Sequence, residues 1–592
     1  MKIKLFIFSV ICLLIFSCAT NGFKDNYIQY GKVQLTPEEK QIVADALKDM
    51  HPKYDPEGKM LTYTFNGYNY HTDASSGVFH HVRSSFSYAV LLLDLGDEQY
   101  RQRAFDVIEK TITLQDQDTT SKSCGVWPYY QEEPLATKKS PIDFNWADFN
   151  AVSLLDVWMG HQDEIPADLK PKIKNALILA AKSIQKRNMG PGYTNIAIMG
   201  TYVTYMVSHL FNLPEMKEYA NARLKRFYDY TLDKGGFSEY NSPTYTIVAL
   251  DELFRMKSHI VEPVAKQQID SLYSIGWEII ARHYHKPTGQ WAGPHSRSYS
   301  TLVKPSFYAI LKEASNGQID VGMEEKRSDV KIKHKIPAHL MHYFLTPEYP
   351  RTESDVFEKE EPRTTGTCYL TEKYALSTAN RSSLWNQRRP FLVYWGNVQT
   401  PKYLQVRFMH DDYDFSAATF YGQQNENQAL AVINFISNGG DKHISIDRFK
   451  DGKIRAKDMR LRFEFGNVKS PGELAIPSSV NDPFVIKLDE LEFNFQLYCA
   501  EFDGAKGHWE KGSNDKASWI DFVFYSGEEK EIDLIKMNRA VSGFIFELNS
   551  TNEKKEFKKA DLSEKDGILK IEWNGLKLET PVKPQAPKHN FI

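Results

Sequence analysis

Residues 195–211 read NIAIMGTYVTYMVSHLF, and the helix they predict is apolar on much of its circumference from Tyr202 to Phe211. Such a helix is expected to be covered by neighbours. Residues 176–181 repeat the pattern, and the surrounding sequence supplies the neighbours. Helical periodicity broken by Gly, Pro or Asn predicts helices over 84–95, 97–114, 146–158, 166–187, 195–211, 214–232, 244–256, 262–283 and 298–313. Eight or more helices with short connections make an α/α array. No fixed-residue repeat is visible, which argues against a consensus solenoid and leaves a toroid or an irregular bundle. The expectation is an incomplete (α/α) toroid over residues 36–315.

Beyond it the pattern changes. Residues 316–362 turn to charge and proline and read as an interdomain connection with some structure of its own. From 363 to 592, short β-rich runs are separated by turn residues: 368–376, 391–397, 404–408, 429–436, 461–465, 484–488, 491–500, 518–525, 543–548 and 569–573. Asn438-Gly439-Gly440, Lys450-Asp451-Gly452 and Asn574-Gly575 supply turn chemistry. Many strands and few helices predict an antiparallel β-sandwich, so the fold class is a multidomain α and β chain.

The first residues read as a targeting segment. Lys2 and Lys4 precede an apolar run from Leu5 to Phe16 that is too short to span a bilayer. Ile15-Phe16-Ser17-Cys18 resembles a bacterial lipobox, which makes Cys18 a lipidation site and residues 1–18 a signal peptide. The expected location is the outer membrane or periplasm of a Gram-negative bacterium, with the lipid as the only membrane contact. A net charge of -3 and a pI near 6.6 give no electrostatic case for nucleic acid. Cys124, Cys368 and Cys499 form neither a disulfide framework nor a zinc pattern. No metal or other cofactor is expected, although the spacing leaves a structural calcium or zinc ion open.

Three loops in the helical half concentrate polar and aromatic residues: Tyr193-Thr194-Asn195, residues 235–245 (GGFSEYNSPTY) and residues 291–299 (WAGPHSRSY). Their order and spacing resemble the hyaluronate and chondroitin lyase family, with heparinase-II-like and alginate-lyase-like toroid proteins as comparable relatives. The resemblance matches Asn195 to the family's Asn, Phe237 to its Phe, Tyr245 to its catalytic Tyr and Arg297 to its Arg. Tyr240 stands where the family has His. Residues 146–150 (WADFN) resemble the aromatic segment lining the same cleft.

The resemblance implies β-elimination on an acidic polysaccharide or oligosaccharide. That reaction removes the proton α to a uronate carboxylate and expels the oxygen at C4. An amide such as Asn195, with Asn150, would neutralise the carboxylate, and Arg297 would bind an acidic sugar. Tyr245 would move the proton, helped by a cationic neighbour because an ordinary Tyr titrates near 10. Tyr240 or His295 would serve as a second acid/base, with His209 and His80-His81 behind them. Trp146, Asp148, Glu239, His81 and Trp291 complete the expected substrate contacts. In the second half, residues 407–413 and the group Trp385, Arg388, Arg389 and Trp395 are polar segments that either reach the cleft or form solvated turns.

Each assignment has a structural counterpart. Asn195 also suits a helix cap, Tyr240 and Tyr245 suit a core with satisfied hydroxyls, and Arg297 suits an ion pair with Asp148 or Glu239. A rival function is an (α/α) glycoside hydrolase, a glucuronidase or unsaturated glucuronyl hydrolase, using Asp148 and Glu239 with Asp143 in reserve. Another is a non-catalytic glycan-binding surface lipoprotein.

Overall fold

The computed structural model describes residues 34–67, 69–438, 440, 449–470, 472, 474–551 and 557–586. Cys18 and its neighbours, and Gly439 of one expected turn, lie outside the described residues. Among the described residues no helix is long and apolar enough to cross a membrane.

The helical half opens with α1 (Pro37–Met50), whose Thr36–Glu39 capping box satisfies the first free backbone donors. Then come α2 (Val82–Leu95), α3 (Glu98–Ile112), α4 (Asn145–Gly160), α5 (Lys170–Arg187), α6 (Thr194–Leu210), α7 (Pro214–Lys234), α8 (Tyr245–His259), α9 (Pro263–His283) and α10 (Pro305–Ala314). Pro in the first turn of α7, α9 and α10 starts those helices, and left-handed Asn188 and Gly235 stop α5 and α7. Each even-numbered helix from α2 to α8 pairs with the odd one that follows it, and α2, α4, α6 and α8 also pack on one another in sequence. The even helices form an inner layer, mutually parallel, and the odd ones an outer layer. The largely apolar α6 is the most deeply covered of them, with every residue from Thr194 to His209 buried. Gly200 permits this: a Cβ there would lie 2.7 Å from Asp148 Oδ1 and 2.9 Å from Arg223 Nη2.

A small sheet not foreseen from the sequence, β1 (Tyr54–Asp55), β2 (Met60–Asn66) and β3 (Ser76–His80), leads directly into α2. The helix expected over 298–313 is shorter. Residues before Pro305 pair instead with the second half, where Ser298 N donates to the Gln387 carbonyl at 2.7 Å.

In the second half, among the described residues, a nine-stranded antiparallel sheet runs from His508–Ser513 at one edge to Arg351–Glu358 at the other. A six-stranded sheet runs from Phe484–Leu488 to Arg381–Ser383. The two share one aromatic core: Phe544 of the smaller sheet meets Phe391 and Phe463 of the larger edge to face, 5.4 and 5.2 Å between ring centres. Residues 316–362 do more than connect. Val330, Ile332, Ile336, Leu340 and Phe344 are buried, all but Ile332 in the same core as the helices. Arg351–Glu358 is the edge strand facing the outer helices, where Arg282 of α9 bonds Glu353 at 2.9 Å and Asp355 at 2.5 Å.

Candidate active site

Because α2, α4, α6 and α8 run the same way, their first turns meet at one end of a cleft of about 510 Å³. Arg83 comes from α2, Asn145 and Phe149 from α4, Asn195 from α6 and Tyr245 from α8, with Tyr193 and Tyr299 from adjoining loops. The free backbone donors of helix first turns add partial positive charge there, which favours an anionic ligand.

Tyr245 opens α8. The Ser242 hydroxyl accepts its backbone N–H at 3.0 Å and donates to the Arg297 carbonyl at 2.6 Å, tying the two loops together. Each nitrogen of the Arg297 guanidinium makes one hydrogen bond. The group donates to Gln387 Oε1 at 2.8 Å, to Glu239 Oε1 at 3.3 Å and to the Tyr245 hydroxyl at 3.0 Å. It also lies over the rings of Tyr245 and Trp385, 4.8 and 4.9 Å from their centres. The Tyr245 hydroxyl is 2.8 Å from that of Tyr299, which is 59% exposed and leads to solvent. Burial pushes the Tyr245 phenol above its ordinary range, with Arg297 pulling the other way. Glu239, behind Arg297, is pushed up to about 7 by burial, offset by Arg297 and Arg388, and its Oε2 has no hydrogen-bond partner among the described residues.

Asn195 is the second residue of α6 and caps nothing. Its buried Oδ1 has no partner among the described residues while the residue lines the cleft. A buried carbonyl left unpaired costs free energy unless something else meets it. Arg83 lies with its guanidinium 3.9 Å from the centre of the Phe149 ring. Asn145 donates to the Tyr193 hydroxyl at 3.2 Å and accepts from Arg187 at 2.7 Å.

The structure thus brings Asn195, Tyr245, Arg297 and Glu239 together and separates the other expected residues from them. Tyr240 is stacked on Phe357 of the edge strand, ring centres 4.0 Å apart and 6° from parallel, so it joins the two halves of the chain. His295 donates through Nδ1 to the Asn241 carbonyl at 2.7 Å, and burial pushes it down to about 3, a neutral structural ring. Trp291 is fully buried, its indole N–H on Asn241 Oδ1. His81 caps α2 by accepting from Ser84 N at 3.2 Å. His209 sits in the last turn of α6, at the end away from Asn195.

On α4 the expectation was out of phase. The cleft face is Asn145, Phe149, Val152, Ser153 and Asp156, a helical stripe that leaves Trp146, Asp148 and Asn150 turned aside. Asp148 lies under Gly200, and Asp143 is held by Tyr129 and the start of α4. Asn145, Arg83 and Tyr299 were therefore missed as site residues. That stripe was the signal that pointed to Asn145. Of the polar segments in the second half, the 385–389 turn reaches the site through Trp385 and Gln387. In the 407–413 segment, Arg407 is spent on Asp414 and Glu464.

A family model described as "Domain of unknown function (DUF8769)" matches residues 29–340. The chain belongs to that family. No curated protein matches it. Among solved structures, the DUF8769 chain is similar to heparinase III at 9% identity and TM-score 0.48, over 93% of this chain and 92% of that one. It is similar to the Streptomyces coelicolor A3 chondroitin AC lyase, crystallised with chondroitin sulphate, at 8% and 0.48 over 91% and 84%. For a Paenibacillus xanthan lyase the values are 8% and 0.42 over 91% and 64%.

Proposed function

We propose that this protein is a polysaccharide lyase that cleaves uronate-containing glycans by β-elimination. The observation that carries the reading is the unpaired Asn195 Oδ1 in the same cleft as a Tyr245 hydroxyl already bonded to Arg297. Asn195 Oδ1 accepts the proton of a substrate carboxyl group and its amide N–H donates to the other oxygen, so charge spreading into that group during proton removal is met by a fixed dipole. Tyr245 takes the proton from C5, the C5–H pair becomes the C4=C5 double bond, and the C4–O bond breaks. The proton then passes to the departing oxygen, which balances the step.

Burial holds Tyr245 as a neutral phenol, Arg297 supplies the opposing stabilisation of the phenolate, and Tyr299 offers a route for the proton to water. We read the two helical layers as an incomplete (α/α) toroid and the facing sheets as an antiparallel β-sandwich, with Cys18 as the lipid anchor of a Gram-negative envelope protein. Cys18→Ser moving the protein from the membrane to the soluble fraction tests the anchor.

The test of function is incubation with heparan sulfate, chondroitin sulfate and xanthan, following ultraviolet absorbance of the conjugated product together with new reducing ends. Both rise in parallel for a lyase. Reducing ends without absorbance overturn the reading.

A second reading, hydrolysis, has one observation in its favour. Glu252 lines the same cleft, is pushed up to about 7 by burial, and keeps Oε2 unpaired among the described residues, beside Asp156. Asp148 no longer serves that reading, being outside the cleft lining.

A further inference from the structure

The β2–β3 hairpin stands at the start of α2, at the same end of the inner layer as Tyr245, and one of its faces is aromatic. Tyr63 pairs with Phe79 across the ladder and Phe65 with Gly77, so three rings share a face. Tyr63 is 50% exposed, and Phe65 and Phe79 are half-buried. Beneath them Tyr130 is buried, its ring 5.1 Å from Phe79, 6.2 Å from Phe65 and 6.5 Å from Tyr63, the last within 16° of parallel. Gly77 keeps the face flat: its φ is +142°, and a Cβ there would come within 3.1 Å of the Phe79 ring.

Beneath the surface, this face is joined to the cleft mouth by ring-to-ring contacts that pass through the buried Tyr130 and Trp146. Tyr130 meets His81 at 5.6 Å, His81 meets Trp146 at 5.4 Å, Trp146 meets Tyr129 at 4.0 Å, Tyr129 meets His71 at 5.8 Å and His71 meets Tyr70 at 3.8 Å. Tyr70 in turn lies within electrostatic reach of Tyr193 and Tyr299.

We propose that the aromatic face of the β2–β3 hairpin is a distal glycan-binding subsite, holding sugar rings of the same polysaccharide whose scissile linkage lies at Tyr245. The chemistry fits a pyranose. Its C–H face carries slight positive charge, and the electron-rich face of an aromatic ring attracts it without needing a fixed pattern of hydroxyls. With neighbouring helix axes about 8–10 Å apart, the way from α2 to α8 is on the order of 20 Å, room for several sugar units. Three rings gathered on one partly exposed face call for an occupant, and their place at the cleft end of the inner helices, joined to it by the packed rings beneath, selects the substrate chain over a protein partner.

The inference rests on the glycan-cleaving reading, so its test has an arm that does not. In the kinetic arm, kcat/KM is measured on the polysaccharide the wild type cleaves fastest and on a short oligosaccharide prepared from it. Tyr63→Ala and Phe79→Ala each lower the ratio of the two values about ten-fold, equivalent to about 1.4 kcal/mol. Tyr63→Trp retains the ratio, as does Val78→Ala on the opposite face. Equal losses on both substrates, or an unchanged ratio in Tyr63→Ala, overturn the subsite.

In the binding arm, retardation of the full chain in gels containing heparan sulfate, chondroitin sulfate or xanthan is compared for wild type and Tyr63→Ala. Weaker retardation of the variant supports the subsite even where no unsaturated product forms, which is the result that sinks the lyase reading alone. Equal retardation of the two proteins overturns the subsite, and so does retardation of neither by any of the three.

Discussion

The two ends of the cleft are built from the same helices and differ in how their polar groups are satisfied. At the far end Lys331 bonds Asp94 at 2.9 Å, Arg255 bonds Glu252 and Asp329 at 2.8 Å each, and Arg327 and His334 hold Asp251 at 2.7 and 2.8 Å. At the mouth Asn195 Oδ1 has no partner among the described residues, nor has Glu239 Oε2 behind Arg297, and Arg83 lines the cleft with its guanidinium over a ring. Buried charges paired off with one another hold a structure together, whereas buried polar atoms left unpaired beside a cavity await a ligand. At the far end Glu252 Oε2 and one Arg327 nitrogen, Nη1, also lack a partner among the described residues, and Glu252 gives the hydrolase reading its one foothold.

The sharpest way to break the contrast is Tyr245→Phe. Loss of the hydroxyl lowers the rate of unsaturated-product formation about 10³-fold with the melting temperature retained. If Glu252→Gln abolishes cleavage while Tyr245→Phe does not, the functional end has been misplaced. Asn195→Ala lowers kcat about 10²-fold with little change in KM, since the amide acts on charge that develops during the reaction. Lys331→Met reverses the pattern. It leaves Asp94 with His161 alone, 2.9 Å away, and lowers unfolding stability by about 2 kcal/mol, read by denaturant titration, with specific activity of the folded fraction kept.

The pH dependence adds a fourth test. Phenolate at Tyr245 grows as pH rises, so kcat/KM climbs on the alkaline side, and Arg297→Ala moves that limb to still higher pH. The smallest effect belongs to Asp148→Asn. Burial raises the folded-state pKa of Asp148 from 3.8 to about 7, so wild-type stability falls as pH rises through that interval. The variant lacks this loss, and its stability relative to wild type increases between those pH values, with cleavage intact. A flat difference across the interval would falsify the assignment of Asp148 as a buried neutral acid.

How far such a site can be read from sequence depends on the range of the interactions that define it. The bounds of α7 and α9 were legible because Pro214, Gly235 and Pro263 act locally. Asn195, Tyr245 and Arg297 were singled out through the family resemblance of their loops, and the structure places Tyr245 against Arg297 and in one cleft with Asn195. The role of Tyr240 was not legible, since only a stacking partner more than a hundred residues away fixes it. The edge strand Arg351–Glu358 read as a charged connection because its acids answer Arg282 of α9, and an ion pair across two halves of a chain leaves no periodic trace. On α4 the segment 146–150 overlaps the cleft face only at Phe149, so the helix was right and the face was wrong, an error of helical phase.

The segment bearing Asp329 and Lys331 also has a mechanical consequence. By bridging Arg255 of α8 to Asp94 of α2 it bars the back of the chamber. Under the proposed cleavage, a polymer would meet this crosspiece behind it instead of being threaded through like a bead on a string, and the fragment would retreat by the doorway through which the chain came in.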